Sequence, residues 1–518
     1  MGTRIFDVEA FAKVARRAVA EGVVLLKNDG SVLPLKEGCR IALFGRSQYN
    51  YYKSGTGSGG MVNTKYVTGV KEALEADKRF VLNEKLKATY DAWIEDHPFD
   101  AGVGWAAEPW FQQEMQITED IVREAKKDSD VAVVLIGRTA GEDQDNSATQ
   151  GSYLLTDDEE EMLLNITKVF DKTVVLLNVG NIIDMKWVKK YDPSSVAYIW
   201  QGGQEGGSGV IDVLSGDVNS SGRLTDTIAY DITDYPSDKN FGGKKRNIQE
   251  EDIFVGYRYF ETFAKDKVCY PFGYGLSYTE FSIETKEFCG GKDGVRVIAE
   301  VKNTGEVKGQ QVVELYVKKP QGNLKQPARE LVGFAKTKEL EAGETQKVEI
   351  EVSPYTLSSY DDTGVSGFKS AYVMEKGTYE FFVGENVRTD RKAGSFNLDE
   401  TILTEQFSPA FAPNIDFRRM TVADCEGDKY TLGFSEVSKA EDAMELHRTN
   451  GLPSEKKQTG DKGFKLTDVL HNRCTMDDFI AQLSDEDLMC IVRGEGMSSP
   501  KVTPGCGGAF GGVTDELL

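Results

Sequence analysis

The sequence predicts an α/β domain with a mostly parallel sheet, followed by an all-β sandwich of the immunoglobulin-like or fibronectin-like kind. Three observations carry that reading. Short β-branched runs alternate with amphipathic helical patterns up to about residue 215, as in strands joined by crossover helices. From about residue 216 the chain becomes a long polar connection rich in Gly and Tyr. Beyond Phe272 only short alternating strands separated by turn residues follow, a spacing that suits a sandwich.

Composition narrows the function classes. A length of 518 residues suits roughly three domains, with 40% hydrophobic and 28% charged residues, ordinary for a globular protein. A net charge of −23 repels phosphate backbones and anionic lipid, which argues against nucleic-acid and membrane-surface partners. No apolar run approaches the ~20 residues of a membrane span, and the N-terminus has neither a signal-peptide core nor a myristoylation signal. Seven dispersed cysteines without a C-x-x-C pair argue against a disulfide framework and for a reducing compartment, so a cytoplasmic location is expected. His471 and Cys474 are spaced like half a metal site with no second half, and the three histidines lie near no serine or cysteine motif. No metal and no cofactor is expected.

The elements follow in order. Residues 7–27 read as one amphipathic helix with Phe11, Val14, Ala15, Ala18 and Val19 on a stripe. Ile41–Phe44 is a short strand, followed by the glycine-rich stretch 54–60, a helix from Tyr66 to Ala76 and a strand near Phe80–Leu82. Residues 83–128 look helical. Val131–Ile136 is an apolar, β-branched run of strand length, and Thr156 with Glu159 is a capping signature ahead of a helix carrying Met162, Leu163 and Ile166. Strand Thr173–Leu177, helix Asp184–Lys190, strand Val196–Trp200 and a helix to Leu214 complete the α/β pattern. Strands at 295–301, 312–317, 331–334, 348–352 and 379–383 build the sandwich. The expected divisions are 1–232 for the α/β domain, 233–270 for a connection, 271–398 for the sandwich, 399–470 for a linker or wrapping segment, and a new element from 471.

Two loops could carry chemistry. The polar loop after Val131–Ile136 holds Glu142, Asp143 and Asp145, and in open α/β sheets ligands sit where such loops emerge. Neighbouring carboxylates raise the pKa of a glutamate lying close to them, which suits Glu142 to a general acid; a merely solvated acidic loop is the plain alternative. The second carboxyl that a glycosidase needs is identified nowhere in the chain. Gly55, Gly57 and Gly60 satisfy G-x-G-x-x-G, and Glu84 follows the next strand, as in a dinucleotide site. Against that, nine residues, Gly45 to Lys53, separate the strand from the glycine-rich stretch, three more precede the helix, and Glu84 lies too far downstream. A flexible surface loop, or a small-residue loop that lets a polar ligand approach Ser58, are the other readings.

Seven matches in one order then carry a resemblance: AEGVVLLKNDGSVLPL (20–35), KSGTGSGG (53–60), GRTAGEDQDN (137–146), WQGGQEGG (200–207), SGRLTDTI (221–228), VGYRYFET (255–262) and FGYGLSYTEF (272–281). The chain resembles glycoside hydrolase family 3, the β-glucosidase group. That resemblance implies an (α/β)6-type sandwich domain, then a fibronectin type III-like sandwich, a linker, and the start of a (β/α)8 barrel from 471, a permuted domain order. It gives Glu142 the role of general acid/base, on a loop of the S-G-E-G-Y-D-R type in which Asp143 replaces Gly and Asn146 replaces Arg. It places Ser58 in a loop that touches the bound sugar. TMDDFIAQLSDEDL (475–488) resembles the helix that opens the family's barrel, so the nucleophile is expected beyond Leu518, on a continuation of the chain or a second polypeptide. The implied function is a retaining β-glycosidase, a β-glucosidase acting on β-linked oligosaccharides or glycosides, with the barrel as partner and a homo-oligomer as an open option. The competing readings are a dinucleotide-dependent oxidoreductase using Gly55, Gly57 and Gly60, and a non-catalytic interaction fragment.

Overall fold

A computed structural model describes residues 7–57, 60, 64–104, 106–142, 145–409, 413–440 and 454–493. Ser58, Asp143 and the stretch 494–518, all singled out above, lie outside them.

The first part of the chain contains α1 (Val8–Gly22), β1 (Val24–Asn28), β2 (Arg40–Phe44), α2 (Val70–Ala76), β3 (Val81–Leu82), α3 (Glu84–Asp96) and α4 (Glu119–Lys127). It continues with β4 (Val131–Arg138), α5 (Asp157–Val169), β5 (Thr173–Val179), α6 (Lys186–Tyr191), β6 (Ser195–Tyr198) and α7 (Gly206–Ser215). The strands form one sheet in the order β1-β6-β5-β4-β2-β3, parallel except for β1, which runs antiparallel to β6 at the edge. All eight residues of β4 and all seven of β5 are buried, which is why both read as continuous apolar runs. Their side chains alternate between two cores. Val131, Val133 and Leu135 pack with Ala20, Val70, Leu74 and Val210 of α1, α2 and α7. Ala132, Val134 and Ile136 pack with Leu86, Val122, Met162 and Trp187 of α3 to α6.

Several predicted boundaries shift, each for a local reason. The helix expected over 7–27 stops at Gly22, and Val24–Asn28 is an edge strand whose Val24, Leu25 and Leu26 are buried between the two cores. Only part of the predicted stripe is buried: Val19 packs on the core, whereas Phe11 and Val14 are 53% and 67% exposed. Helix α2 starts at Val70 because Thr68 is drawn out of helical geometry, donating to Gln204 O and accepting from Gly207 N. The stretch 83–128 is two helices, not one; the crossing between them carries Pro98, Gly102, Gly104 and Pro109. The cap at Thr156 forms as read: Thr156 Oγ1 accepts from Glu159 N and Glu159 Oε2 accepts from Thr156 N.

A connection holding β7 (Ile228–Ala229), α8 (Tyr257–Phe263) and β8 (Val268–Tyr270) leads to the sandwich. Its strands are β9 (Phe281–Gly291), β10 (Gly294–Asn303), β11 (Val312–Lys318), β12 (Glu330–Lys336), β13 (Thr345–Val352), β14 (Ser359–Asp361), β15 (Ala371–Met374), β16 (Gly377–Gly384), β17 (Arg391–Leu398) and β18 (Ile402–Gln406). Sheets β13-β10-β9 and β12-β11-β16-β17 face each other over Val297, Val301, Leu315 and Phe381. The α/β domain is hydrogen-bonded to the segment that leads into the sandwich and, through Arg223, to the sandwich itself. Leu276 N donates to Leu25 O at 2.7 Å, Asn219 Oδ1 accepts from Tyr278 N at 2.8 Å, and the Arg223 guanidinium reaches Gly275 O and Gln311.

Residues 399–470 are not a stretch without regular structure. They include a hairpin, β19 (Phe417–Glu426) and β20 (Lys429–Val437), whose Met420 and Val422 pack on Phe254. Three short helices, Leu466–Leu470, Met476–Ala481 and Asp485–Arg493, follow, the second capped by Thr475 with Asp478 in return. Among the described residues no helix is long and apolar enough to cross a membrane.

Candidate active site

The strand order decides where a site can form. From β2 the chain moves outward to β3, then returns to β4 on the other side of β2 and continues through β5 to β6. The connections leaving β2 and β4 therefore diverge, and the crevice between them is the switch point where open α/β sheets bind ligands. The glycine-rich loop leaves β2 and the Glu142 loop leaves β4.

The Glu142 loop is pinned at its base by a buried ion pair. Arg138, the last residue of β4, has no exposed surface and binds both oxygens of Glu159 at 2.6 and 2.7 Å. Its remaining donors go to the carbonyls of Gly137, Ser152 and Leu154, so one side chain ties the strand end, the far end of the loop and the start of α5 together. Asn146 Nδ2 donates to Ile182 O at 3.1 Å and its Oδ1 accepts from Ser152 Oγ at 2.7 Å, so the residue that departs from the family motif has its own supporting contacts.

The glycine-rich loop lies against this loop. Thr56 N donates to Ala140 O at 2.7 Å, and Thr56 and Gly141 form a parallel bridge. A Cβ on Gly55 would stand 2.0 Å from Ala140 O, and one on Gly57 would stand 2.4 Å from Glu142 Cβ and 2.6 Å from its Oε2. Gly141, at φ +152°, would likewise meet Thr56 O at 2.5 Å. The glycines thus serve the approach of two loops. They do not form the start of a helix, which begins only at Val70, and Glu84 is an exposed residue opening α3. The geometry does not fit a dinucleotide fingerprint.

Glu142 is exposed beside Gly57, and Asp145 is exposed on the same loop. Next to the glycine-rich loop opens a cleft of about 810 Å³, walled by Tyr51, Tyr52 and Gly57 on one side and by Phe99 and Glu108 of the crossing between α3 and α4 on the other. Burial holds the Glu108 carboxyl above the usual carboxylate range. The phenol of Tyr51, which accepts from Gly202 N at 2.9 Å, is pushed up to about 12 by burial. Phe99 and Glu108 were missed in the sequence because 83–128 read as helical, although the Pro and Gly positions between 97 and 118 signal a loop. Trp200 has φ +52°, stacks on Tyr198 at 4.7 Å and donates from Nε1 to Gly22 O at 2.9 Å. Gln201 does reach the crevice, donating from Nε2 to Arg138 O at 3.3 Å.

The fold and the loops agree with what known proteins show. The glycosyl hydrolase family 3 C-terminal domain matches residues 23–278, and a fibronectin type III-like domain matches 311–387. A β-glucosidase of Ruminococcus albus is 50% identical over 99% of this chain and 53% of its own length. β-Glucosidase A of Butyrivibrio fibrisolvens is 34% identical over 95% of this chain and 66% of its own length. The crystal structure of a β-glucosidase from Paenibacillus barengoltzii superposes with a TM-score of 0.92 at 47% identity, covering 99% of this chain and 57% of that one. The chain spans about half the length of the first of these relatives and of the solved structure. With its α/β domain, its sandwich and its glycine-clasped loop all matched in order, the chain belongs to glycosyl hydrolase family 3.

Proposed function

We propose that this chain supplies the acid/base part of a retaining β-glucosidase, which removes terminal non-reducing β-linked glucose from oligosaccharides or aryl glucosides by double displacement. The observation that carries this reading is the clasp of Gly55, Gly57 and Gly141, which holds a glutamate at the switch point with backbone packed against its side chain. In the first step Glu142 gives its proton to the glycosidic oxygen as a carboxylate nucleophile attacks the anomeric carbon; the aglycone leaves as an alcohol and a glycosyl-enzyme forms. In the second step the Glu142 carboxylate takes a proton from water, which attacks the same carbon and frees the nucleophile. The nucleophile belongs to a (β/α)8 barrel on a continuation of the chain or a second polypeptide, with the helices from 471 onward as the barrel's opening. Ser58 is assigned to hydrogen-bond the sugar. The cysteines described, at positions 39, 269, 289, 425 and 474, are unpaired thiols, which supports a cytoplasmic setting.

The test is Glu142→Gln in the complete protein. Turnover of glucosides with poor leaving groups is expected to fall by roughly 10²–10⁴-fold, and that of activated aryl glucosides far less. Equal loss on both substrate classes refutes the assignment.

A further inference from the structure

Asn178 is the sixth residue of β5, has no exposed surface and stands between the apolar residues Leu177 and Val179. Its carboxamide spends both N–H donors and one acceptor bond on loops. Oδ1 accepts from Tyr52 N at 2.8 Å, while Nδ2 donates to Tyr52 O at 3.0 Å and to Trp200 O at 2.6 Å. Strand β5 pairs with β4 and β6, so nothing in the sheet ladder brings the loop after β2 to it. That loop reaches Asn178 by crossing the end of β4 at Gly137, where an added Cβ would stand 2.1 Å from Ser47 Oγ and 2.9 Å from the Tyr52 ring. Asn178 then meets both backbone groups of Tyr52, as a neighbouring strand would. The connection after β6 grips the same stretch: Gly202 N donates to Tyr51 Oη at 2.9 Å and Gly203 N to Lys53 O at 2.8 Å. Four residues beyond Tyr52, Thr56 N bonds Ala140 O, and Gly57 follows against Glu142.

We infer that Asn178 is a positioning residue for Glu142: by fastening Tyr52 across the sheet it sets the height at which the glycine-rich loop meets the acid/base loop. A buried asparagine that only satisfied core polarity would spend its bonds on its own strand or on neighbouring ones. All three of these bonds go instead to backbone at the rim of the crevice. The inference rests on the reading of Glu142 as acid/base.

The experiment is made in the complete protein with Asn178→Asp, which keeps the shape but removes both N–H donors and sets carboxylate oxygen against two carbonyls. Asn178→Ser, which introduces no charge, is the second variant in case the buried carboxylate prevents folding. Hydrogen exchange read by mass spectrometry is expected to show the segment 52–57 losing at least about tenfold protection while the amides of Val174–Leu177 keep theirs. Turnover of poor leaving-group glucosides is expected to fall by about 10²-fold, with activated aryl glucosides changed several-fold at most. Unchanged protection at 52–57, or protection lost equally in the β5 strand, overturns the inference, as does an equal loss on both substrate classes. Glu142→Gln run in parallel separates the two readings. If it shows no leaving-group dependence the acid/base assignment fails and the role of Asn178 toward Glu142 falls with it, whatever the exchange shows. If it shows that dependence and Asn178 does not, only the present inference fails.

Discussion

Gly57→Ala offers the sharpest test of the clasp, because the structure specifies both parts of its effect. Gly57 has φ +79°, so any L-residue there meets left-handed strain of about 1–2 kcal/mol. Gly343 in the sandwich has φ +77° with nothing within 4 Å of an added Cβ, so Gly343→Ala suffers the same strain and no collision. Gly343→Ala is therefore expected to lose about 1–2 kcal/mol by denaturant titration, and Gly57→Ala at least as much, since its collision adds to the strain. They part in activity. The Cβ of an alanine at 57 would lie 2.4 Å from Glu142 Cβ, where ordinary contact begins at 3.4 Å, so the two loops must separate by about 1 Å. A misplacement of that size at a reacting group is worth about 10²-fold in rate, near 3 kcal/mol of barrier. The assay is kcat on a series of aryl glucosides of graded leaving-group pKa, with both variants measured beside the parent. Gly57→Ala is expected to steepen the dependence, and Gly343→Ala to leave it alone. If Gly57→Ala keeps the parent's rates across the series, the contact with Glu142 does not position the catalytic group and the reasoning fails.

Two further outcomes concern stability. Glu114 is buried, accepts from Arg46 N and Met115 N, and has its carboxyl pushed up to about 8 by burial. With the folded pKa above the unfolded one, the native state holds a proton that the unfolded chain has released, so this group's contribution falls as pH rises from about 4.5 to about 8, by up to roughly 5 kcal/mol. Glu114→Gln forfeits one acceptor, about 1 kcal/mol near pH 5, but should flatten that slope in denaturation followed against pH; an unchanged slope refutes the assignment. Glu159→Leu leaves the fully buried Arg138 guanidinium without its carboxylate and removes the reciprocal cap at Thr156, so a loss of about 3–5 kcal/mol is expected by chemical denaturation. A loss under about 1 kcal/mol would mean that water or another group reaches Arg138.

What could be read from residues alone follows the range of the forces involved. β4 and the cap at Thr156–Glu159 were legible because both depend on neighbours in sequence: a buried strand shows as an apolar run, and a capping box spans four residues. Strand β1 was not, because Val24–Leu26 continue the apolar pattern of α1 and become a strand only by pairing with β6, far along the chain. The hairpin at 417–437 was hidden for another reason: its side chains are exposed or only half-buried, save for Met420 and Val422. At the site, the family's motifs pointed to Glu142 and to the glycine loop, but not to why the glycines are there. Their partner atoms belong to Ala140, Gly141 and Glu142, and the crossover topology alone brings these together. Asn178 falls just past the strand read over Thr173–Leu177, so nothing in the sequence marks it; its use appears only once Tyr52 is seen lying across β4.

The bond from Leu276 N to Leu25 O has a consequence for synthesis. Strand β1 leaves the ribosome well before either of its neighbours, since its partner strand ends at Tyr198 and the residue that covers its outer edge is Leu276. At about 5–20 residues per second, the stretch from Leu25 to Leu276 takes on the order of tens of seconds to make, and the apolar edge waits that long for its last partner. The nascent α/β domain therefore cannot cover this edge before the segment that leads into the sandwich has emerged. A translation pause placed just before residue 276 should leave arrested chains protease-sensitive at β1, and one placed after the sandwich should not.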